Sequence, residues 1–254
     1  MIRLTKPEAP VELTSSVKRK LIDLYKQEKK AVWKQKYIAN KLLEMSNNKC
    51  VFCECRLQEE GKYMQVEHFH PKDVYEDEVI EWDNLLPICG RCNPVKNNHD
   101  TKIEPIINPT KEDPRDHLYI YNFLMLGKSD IGKLTVDVLD LNNTIGIVQP
   151  RFLVTIEIIK KLNEIFDDVM AFDQISSSSR KKTLLKNKMR AIYQEANPKS
   201  EYSALVSTVV FSYPDYKKLK SLMQSKEIWD NTLDSLEDMA NSIKLEMKQQ
   251  QEIN

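Results

Sequence analysis

Four of the five cysteines stand in two closely spaced pairs that are typical of a metal site. Cys50 and Cys53 form one C-x-x-C pair and Cys89 and Cys92 form the other, with 35 residues between the pairs. In a chain without a secretion signal, this arrangement favours a tetrahedral zinc site, because each short gap aims two thiolates at one ion. Buried free thiols or a redox pair are the alternatives. Cys55 is expected to be an ordinary small side chain rather than a ligand.

The segment around the two cysteine pairs also contains the parts of a hydrolytic site. His68 follows Glu67 at the end of a predicted strand, and Asn93 directly follows the second cysteine pair. Hydrolysis of a phosphodiester needs a base that deprotonates water and a divalent metal that stabilises the leaving oxyanion. An imidazole titrates close enough to neutral pH to serve as the base. Carboxylate and amide oxygens suit Mg²⁺ or Mn²⁺ better than zinc.

These residues resemble the HNH endonuclease family, whose ββα-metal fold joins a β-hairpin to a short helix. The resemblance implies that His68 is the general base and that Asn84 orients the hairpin and His68. It also implies that Glu67 and Asn93 are ligands of the catalytic Mg²⁺ or Mn²⁺. Asn93 stands where many members have histidine, and because a neutral amide is the weaker ligand, we expect low metal affinity.

A narrower resemblance points to the HNH subunit of Septu-type and retron-associated anti-phage systems. It covers roughly residues 1 to 165, and the helical C-terminal third matches only in being helical. The resemblance implies DNA as the substrate and an ATPase subunit as the partner. The segments that carry it, with Arg151, are Glu67–Lys72, Asp113–Leu118 and Leu139–Asn143.

Several polar side chains near the motif are candidate substrate contacts. If the fold is as expected, Lys72, Arg91 and Lys96 lie near the scissile phosphate. His70 is a further possible phosphate contact. Solvation at the surface is the alternative for all four residues. Among the other polar residues, Asn97 is either a further ligand or a helix cap, whereas His99 and His117 are expected to be surface or capping residues.

Composition limits the classes of protein that fit. The 254 residues carry 38 Lys and Arg against 38 Asp and Glu, so any basic surface for nucleic acid must be local. No stretch is apolar for long enough to span a membrane, and the first ten residues contain no signal-peptide core, which predicts a cytoplasmic protein without a membrane partner. Five glycines and the lack of a phosphate-binding glycine motif argue against nucleotide binding by that route.

Hydrophobic periodicity predicts a mainly α fold with a small ββα-metal module. We divide the chain into an N-terminal arm with a basic helix (1–46), the HNH module with its four-cysteine zinc (47–103) and a mainly helical C-terminal region (104–254). The first predicted helix runs from residue 15 to about 45 and is ended by Asn47 and Asn48, which tolerate a left-handed cap. The other predicted elements are a hairpin over residues 50–69 with its turn at 59–62, a short helix from about Asn93, a strand at 133–140 and helices at 156–172 and 180–196.

Two other functions remain open at this point. The weak ligand Asn93, followed by Pro94, is compatible with a zinc-stabilised adaptor that binds the ATPase without catalysis. A nuclease that acts on RNA is equally compatible, because a metal-dependent attack by water needs no 2′-hydroxyl. Metal binding and substrate tests discriminate among the three.

Overall fold

The structure is a computed structural model, and it describes residues 1–59, 61–173 and 179–248. The chain forms two compact units. The first contains Met1–His117 and Leu126–Asn142, and the second contains Leu118–Met125 and the chain from Asn143 onward. The prediction of a mainly helical chain with small sheets is confirmed. The division at residues 46 and 103 stays a prediction.

Helices dominate the described residues. The helices are α1 (Ser15–Glu28), α2 (Lys36–Ser46), α3 (Cys92–Lys96), α4 (Asp130–Val138), α5 (Gln149–Met170), α6 (Ser179–Glu195), α7 (Ser203–Ser212), α8 (Tyr216–Ser225) and α9 (Asn231–Asn241). The strands are β1 (Met64–His68), β2 (Leu85–Cys89), β3 (Leu118–Tyr121), β4 (Leu124–Gly127) and β5 (Glu246–Lys248). None of the helices in the described ranges is long and apolar enough to cross a membrane.

The prediction of a single helix from residue 15 to about 45 is wrong, because the structure has two helices there. Helix α1 ends at Glu28, and the next residue, Lys29, adopts a left-handed conformation with a φ of 51°. The stretch from Lys26 to Lys30 contains no apolar residue, so a continued helix would bury no face there. Residues 29–35, which we call the connector, join α1 to α2. The helix end predicted at Asn47 is confirmed as the end of α2, where Asn47 has a φ of 53°.

The predicted hairpin has the wrong first strand. Strand β1 pairs antiparallel with β2, in a register that places Val66 opposite Pro87 and His68 opposite Leu85. The segment that begins at Cys50 instead folds into a tight turn around the cysteines, in which the Cys50 amide donates to the Cys55 carbonyl over 2.9 Å. A turn near residue 59 exists but joins no paired strands, and residue 60 lies outside the described residues.

The strand predicted at residues 133–140 is also wrong, because this segment forms α4. Ser129 caps the helix by accepting a hydrogen bond from the Gly132 amide over 3.1 Å. Leu134 and Val138 are four residues apart, so they share one face of a helix as readily as one face of a strand. A short apolar pattern therefore could not distinguish the two.

The second unit is built around α5, which packs against α6, α7 and α8. The predicted helices at 156–172 and 180–196 are confirmed as α5 and α6. The apolar stripe of α5 is buried at Ile158, Leu162 and Ile165, whereas Ile156 is 47% exposed. Strand β3 lies between β4 and the parallel strand β5 in a small sheet.

Candidate functional site

The four paired cysteines form one buried cluster, as predicted. The sulfurs of Cys50, Cys53, Cys89 and Cys92 all lie within 4.8 Å of one another, and those of Cys53 and Cys89 are 3.7 Å apart. Four sulfurs at about 2.3 Å from a tetrahedral zinc ion lie about 3.8 Å from one another. The cluster therefore fits a zinc ion. Cys55 is also buried and its thiol neighbours those of Cys50, Cys53 and Cys89, but it is not one of the four grouped ligands.

The positions of these cysteines show what the cluster holds together. Cys89 is the last residue of β2, and Cys92 is the first residue of α3. The Cys92 amide donates to the Cys89 sulfur over 3.4 Å, which is the geometry of a tight turn around a metal ligand. Cys50 and Cys53 lie in the turn that follows α2. A metal at this point joins β2, α3 and the end of α2.

The His68 imidazole lies at the end of β1 in a fixed and nearly dry position. Its Nε2–H donates to the Val79 carbonyl over 2.8 Å, so the Nδ1 lone pair is left to accept a proton. The Trp33 ring packs against the imidazole edge to face, with the ring centroids 4.6 Å apart. Burial lowers the pKa of His68 to about 4, and nearby Lys72 and Lys96 act in the same direction. The imidazole is therefore neutral at pH 7 and able to act as a base.

Asn84 closes the loop of residues 69–84 that supplies the Val79 carbonyl. Its Oδ1 accepts from the His70 amide over 2.7 Å, and its Nδ2 donates to the carbonyls of His70 and Glu78, both over 3.2 Å. Glu78 directly precedes Val79, so this buried amide fixes the backbone that holds the His68 ring. This geometry supports the predicted positioning role of Asn84.

A buried ion pair joins α3 to the end of β1. The Lys96 ammonium is 2.6 Å from Glu67 Oε1 and donates to the His68 carbonyl over 3.2 Å. The Lys96 side chain has no exposed surface, and that of Glu67 is 5% exposed. Burial raises the pKa of Glu67 above its ordinary value, while Lys96 opposes this effect. Lys96 is thus bound to protein groups rather than directed at solvent.

Glu67, His68 and Asn93 all line one cleft of about 830 Å³. The Asn93 Nδ2 donates to Gln65 Oε1 over 2.6 Å, which leaves the Asn93 amide oxygen as an acceptor. Glu67 retains its second carboxylate oxygen in the same way. These two oxygen donors fit Mg²⁺ or Mn²⁺, because such ions are often held by one or two protein groups together with water and substrate phosphate.

Of the four candidate substrate contacts, Lys72 lines the cleft, and the other three are absent from the lining residues described. Arg91 binds the carbonyl of Leu139 and both the carbonyl and the carboxylate of Asp140. The His70 Nδ1–H donates to the Thr101 hydroxyl over 2.7 Å. These bonds hold the fold of the first unit. A substrate role for His70, Arg91 and Lys96 stays a prediction that their present bonds do not favour.

His99 and His117 also form hydrogen bonds with protein groups, whereas Asn97 lines the cleft. His99 Nε2 donates to the Glu104 carbonyl over 2.7 Å, and His117 Nδ1 is 2.8 Å from the Ser129 hydroxyl. Asn97 lines the cleft, so its role as a further ligand stays open.

No sequence pattern singled out the connector, which forms one wall of the cleft. Trp33 and Lys34 of the connector line the cleft together with Lys36 at the start of α2. One signal could have found them, namely a tryptophan within a run of lysines and without helical periodicity. This pattern indicates a functional segment only when it is known that α1 ends before Trp33.

Comparison with curated proteins gives the family. The chain is 46% identical over 233 residues to the Septu protein PtuB of Bacillus thuringiensis, a match that covers 91% of this chain and 90% of the relative. The chain belongs to the PtuB family of Septu proteins. A second Septu protein PtuB, from Bacillus mycoides strain KBAB4, is 29% identical over 116 residues, covering 34% of this chain and 39% of that protein. No protein-family model matches the chain.

The PtuB match extends beyond the motifs that suggested it. A match over 91% of the chain includes most of the helical second unit, whereas the motif resemblance ended near residue 165. The helices of the second unit are therefore part of what the two PtuB-family chains share.

Proposed function

We propose that this PtuB-family chain is a metal-dependent HNH endonuclease that hydrolyses DNA in anti-phage defence, with an ATPase of the PtuA type as its partner. The observation that carries the proposal is the neutral His68 ring, held by the Val79 carbonyl beside two oxygen donors in one cleft. The relatives' name, Septu protein PtuB, supports the defence role. Buried cysteine thiolates would hold the structural Zn²⁺.

Each residue of the site has a distinct task in this proposal. Glu67 and Asn93 would hold Mg²⁺ or Mn²⁺, which supplies positive charge to the phosphate and the leaving oxygen when bound. His68 Nδ1 accepts the proton of the attacking water, and the Val79 carbonyl stabilises the imidazolium through Nε2–H. Asn84 keeps that carbonyl in place.

Replacement of His68 by alanine is expected to lower the rate of DNA cleavage by about 10²- to 10⁴-fold, the usual contribution of a general base. The measurement is plasmid cleavage with Mg²⁺ or Mn²⁺, using the zinc-loaded protein together with any copurifying ATPase. His99→Ala is the matched control, since His99 lies outside the lining of the cleft and should keep the wild-type rate. Cleavage by His68→Ala at the wild-type rate would show that the base is misassigned.

The acidic limb of the activity profile is expected near pH 4 rather than near the ordinary histidine value of about 6.5. Burial keeps His68 neutral in the folded protein, so the base stays active as the pH falls below 6.5. The unfolded chain binds that proton first, and the free energy of unfolding therefore decreases as the pH falls from about 6.5 toward 4. The check is kcat/KM against pH, with zinc content and circular dichroism at each point. A midpoint near 6.5 in folded protein contradicts the assignment.

A second candidate function is a non-catalytic adaptor of the same ATPase. The observation that favours it is that both candidate ligands already have protein partners, Glu67 with Lys96 and Asn93 with Gln65. Calorimetric titration of Mn²⁺ into the zinc-loaded protein separates the two functions. Saturable binding that Glu67→Gln removes supports the nuclease, and the absence of binding supports the adaptor.

A further inference from the structure

Two of the four basic side chains of α1, Lys18 and Lys26, are paired with acids of the loop that follows β1, and so is Lys29 just after the helix, whereas Arg19 and Lys20 are exposed. Lys18 forms an ion pair with Glu81 at 3.0 Å, and Lys26 forms one with Asp77 at 2.5 Å. Lys29 is also paired, with Glu76. These lysines therefore contribute little net positive potential to the surface. A chain with zero net charge must present its DNA-binding charge as a local surface of lysines and arginines that are not already paired in this way.

Unpaired positive charge is found at the wall of the cleft. Lys34 and Lys36 are exposed, and neither has an acidic partner within the part of the chain that the structure describes. Among the lining residues described, Glu67 alone is acidic, and its charge is balanced by Lys96. Lys36 also begins α2, where the helix dipole disfavours a cation, and no acidic residue lies in the first turn. The positive charges of these two lysines are therefore not balanced by neighbouring groups.

Trp33 fixes this pair of lysines relative to the proposed catalytic base. Besides its contact with the His68 ring, Trp33 lies edge to face with Tyr25 at 5.9 Å between centroids. Tyr25 is buried and donates to Asp73 over 3.0 Å. The connector is therefore packed against the site, and Lys34 and Lys36 line the same cleft as the imidazole.

We propose that Lys34 and Lys36 form a binding subsite for the phosphates of duplex DNA that flank the phosphate facing His68. The subsite lies outside the hairpin and the zinc-bound helix. It supplies unpaired positive charge at the cleft, where the other lining lysine, Lys72, lies 3.7 Å from the Asp73 carboxylate. This inference rests on the proposed nuclease function and names the residues that would hold the DNA backbone.

Salt dependence of binding tests this subsite. Each phosphate contact contributes about 0.9 to the slope of log affinity against log salt for duplex DNA, so Lys34→Gln with Lys36→Gln should reduce the slope by about 1.8. Affinity near physiological salt should fall roughly tenfold or more. The measurement is fluorescence anisotropy of a labelled duplex between about 50 and 200 mM salt, with full-length protein that carries His68→Ala to prevent cleavage. Lys34→Arg with Lys36→Arg should keep the parent slope.

The matched control is Lys18→Gln with Lys29→Gln, which changes the net charge by the same amount in lysines that are already paired. Its slope should equal that of the parent. An unchanged slope in the Lys34 and Lys36 double variant, an equal reduction in the control, or no binding of duplex DNA by the parent would each overturn the subsite. Cleavage of plasmid by the protein with His68 intact reports separately on the proposed function, which stands if cleavage occurs while the slopes do not differ.

Discussion

Cys53→Ser is expected to release zinc from the first unit and to unfold the region around β1, β2 and α3. Structural zinc contributes on the order of 10 kcal/mol to the folding of small metal-bound modules, which is as large as the whole stability of a typical domain. The cluster joins β2 and α3, which otherwise share few packing contacts because α3 has five residues. The measurements are zinc content of the purified protein and amide hydrogen exchange in these three elements.

Cys55→Ser is the matched control for this prediction. It makes the same substitution at a buried thiol that neighbours the cluster without being one of its four grouped sulfurs, so it tests which cysteines are ligands. The control protein should retain zinc and the exchange protection of β1, β2 and α3. If Cys53→Ser keeps its zinc, or if Cys55→Ser loses it, the ligand assignment is wrong.

Lys96→Met is expected to destabilise the first unit by about 3–5 kcal/mol, because it leaves the Glu67 carboxylate buried without a counter-charge. Methionine nearly preserves the length of the side chain, so lost packing contributes little. Denaturant unfolding followed by circular dichroism, together with hydrogen exchange in β1 and α3, measures the change.

The double variant Glu67→Met with Lys96→Met should be less destabilised than Lys96→Met alone, since replacing a whole buried ion pair by apolar groups is often nearly neutral. Lys133→Met is the control at an exposed pair, with Asp130, and should change stability by less than about 0.5 kcal/mol. A cost for Lys96→Met no larger than that for Lys133→Met would show that the buried pair contributes little.

Local spacing was sufficient to predict the parts of the site that are close in sequence. Each C-x-x-C pair defines its own turn, and the left-handed end of α2 at Asn47 follows from the local preference of asparagine. The position of Glu67 and His68 next to each other at the end of a strand is a local feature as well. The structure agrees with each of these features.

The features that were missed depend on contacts distant in sequence. The partner of β1 lies beyond a long loop, and no periodicity within Cys50–Phe69 reveals that Leu85–Cys89 takes that place. The ion pair of Lys96 with Glu67 was not predicted, because the orientation of Lys96 depends on how the cysteine cluster docks α3 against β1. The strand predicted at 133–140 failed for a different reason, since its apolar spacing fits both kinds of element.

The loop of residues 69–84 contacts helix α1 on one side and the His68 imidazole on the other. The contacts on these two sides of the loop differ in their response to ionic strength. Its outer acids, such as Asp77 and Glu81, hold α1 through exposed ion pairs, which dissolved ions weaken. Its inner face holds the imidazole through the buried Val79 carbonyl, which counter-ions do not reach. Concentrated electrolyte should therefore loosen the N-terminal helix while the imidazole keeps its orientation.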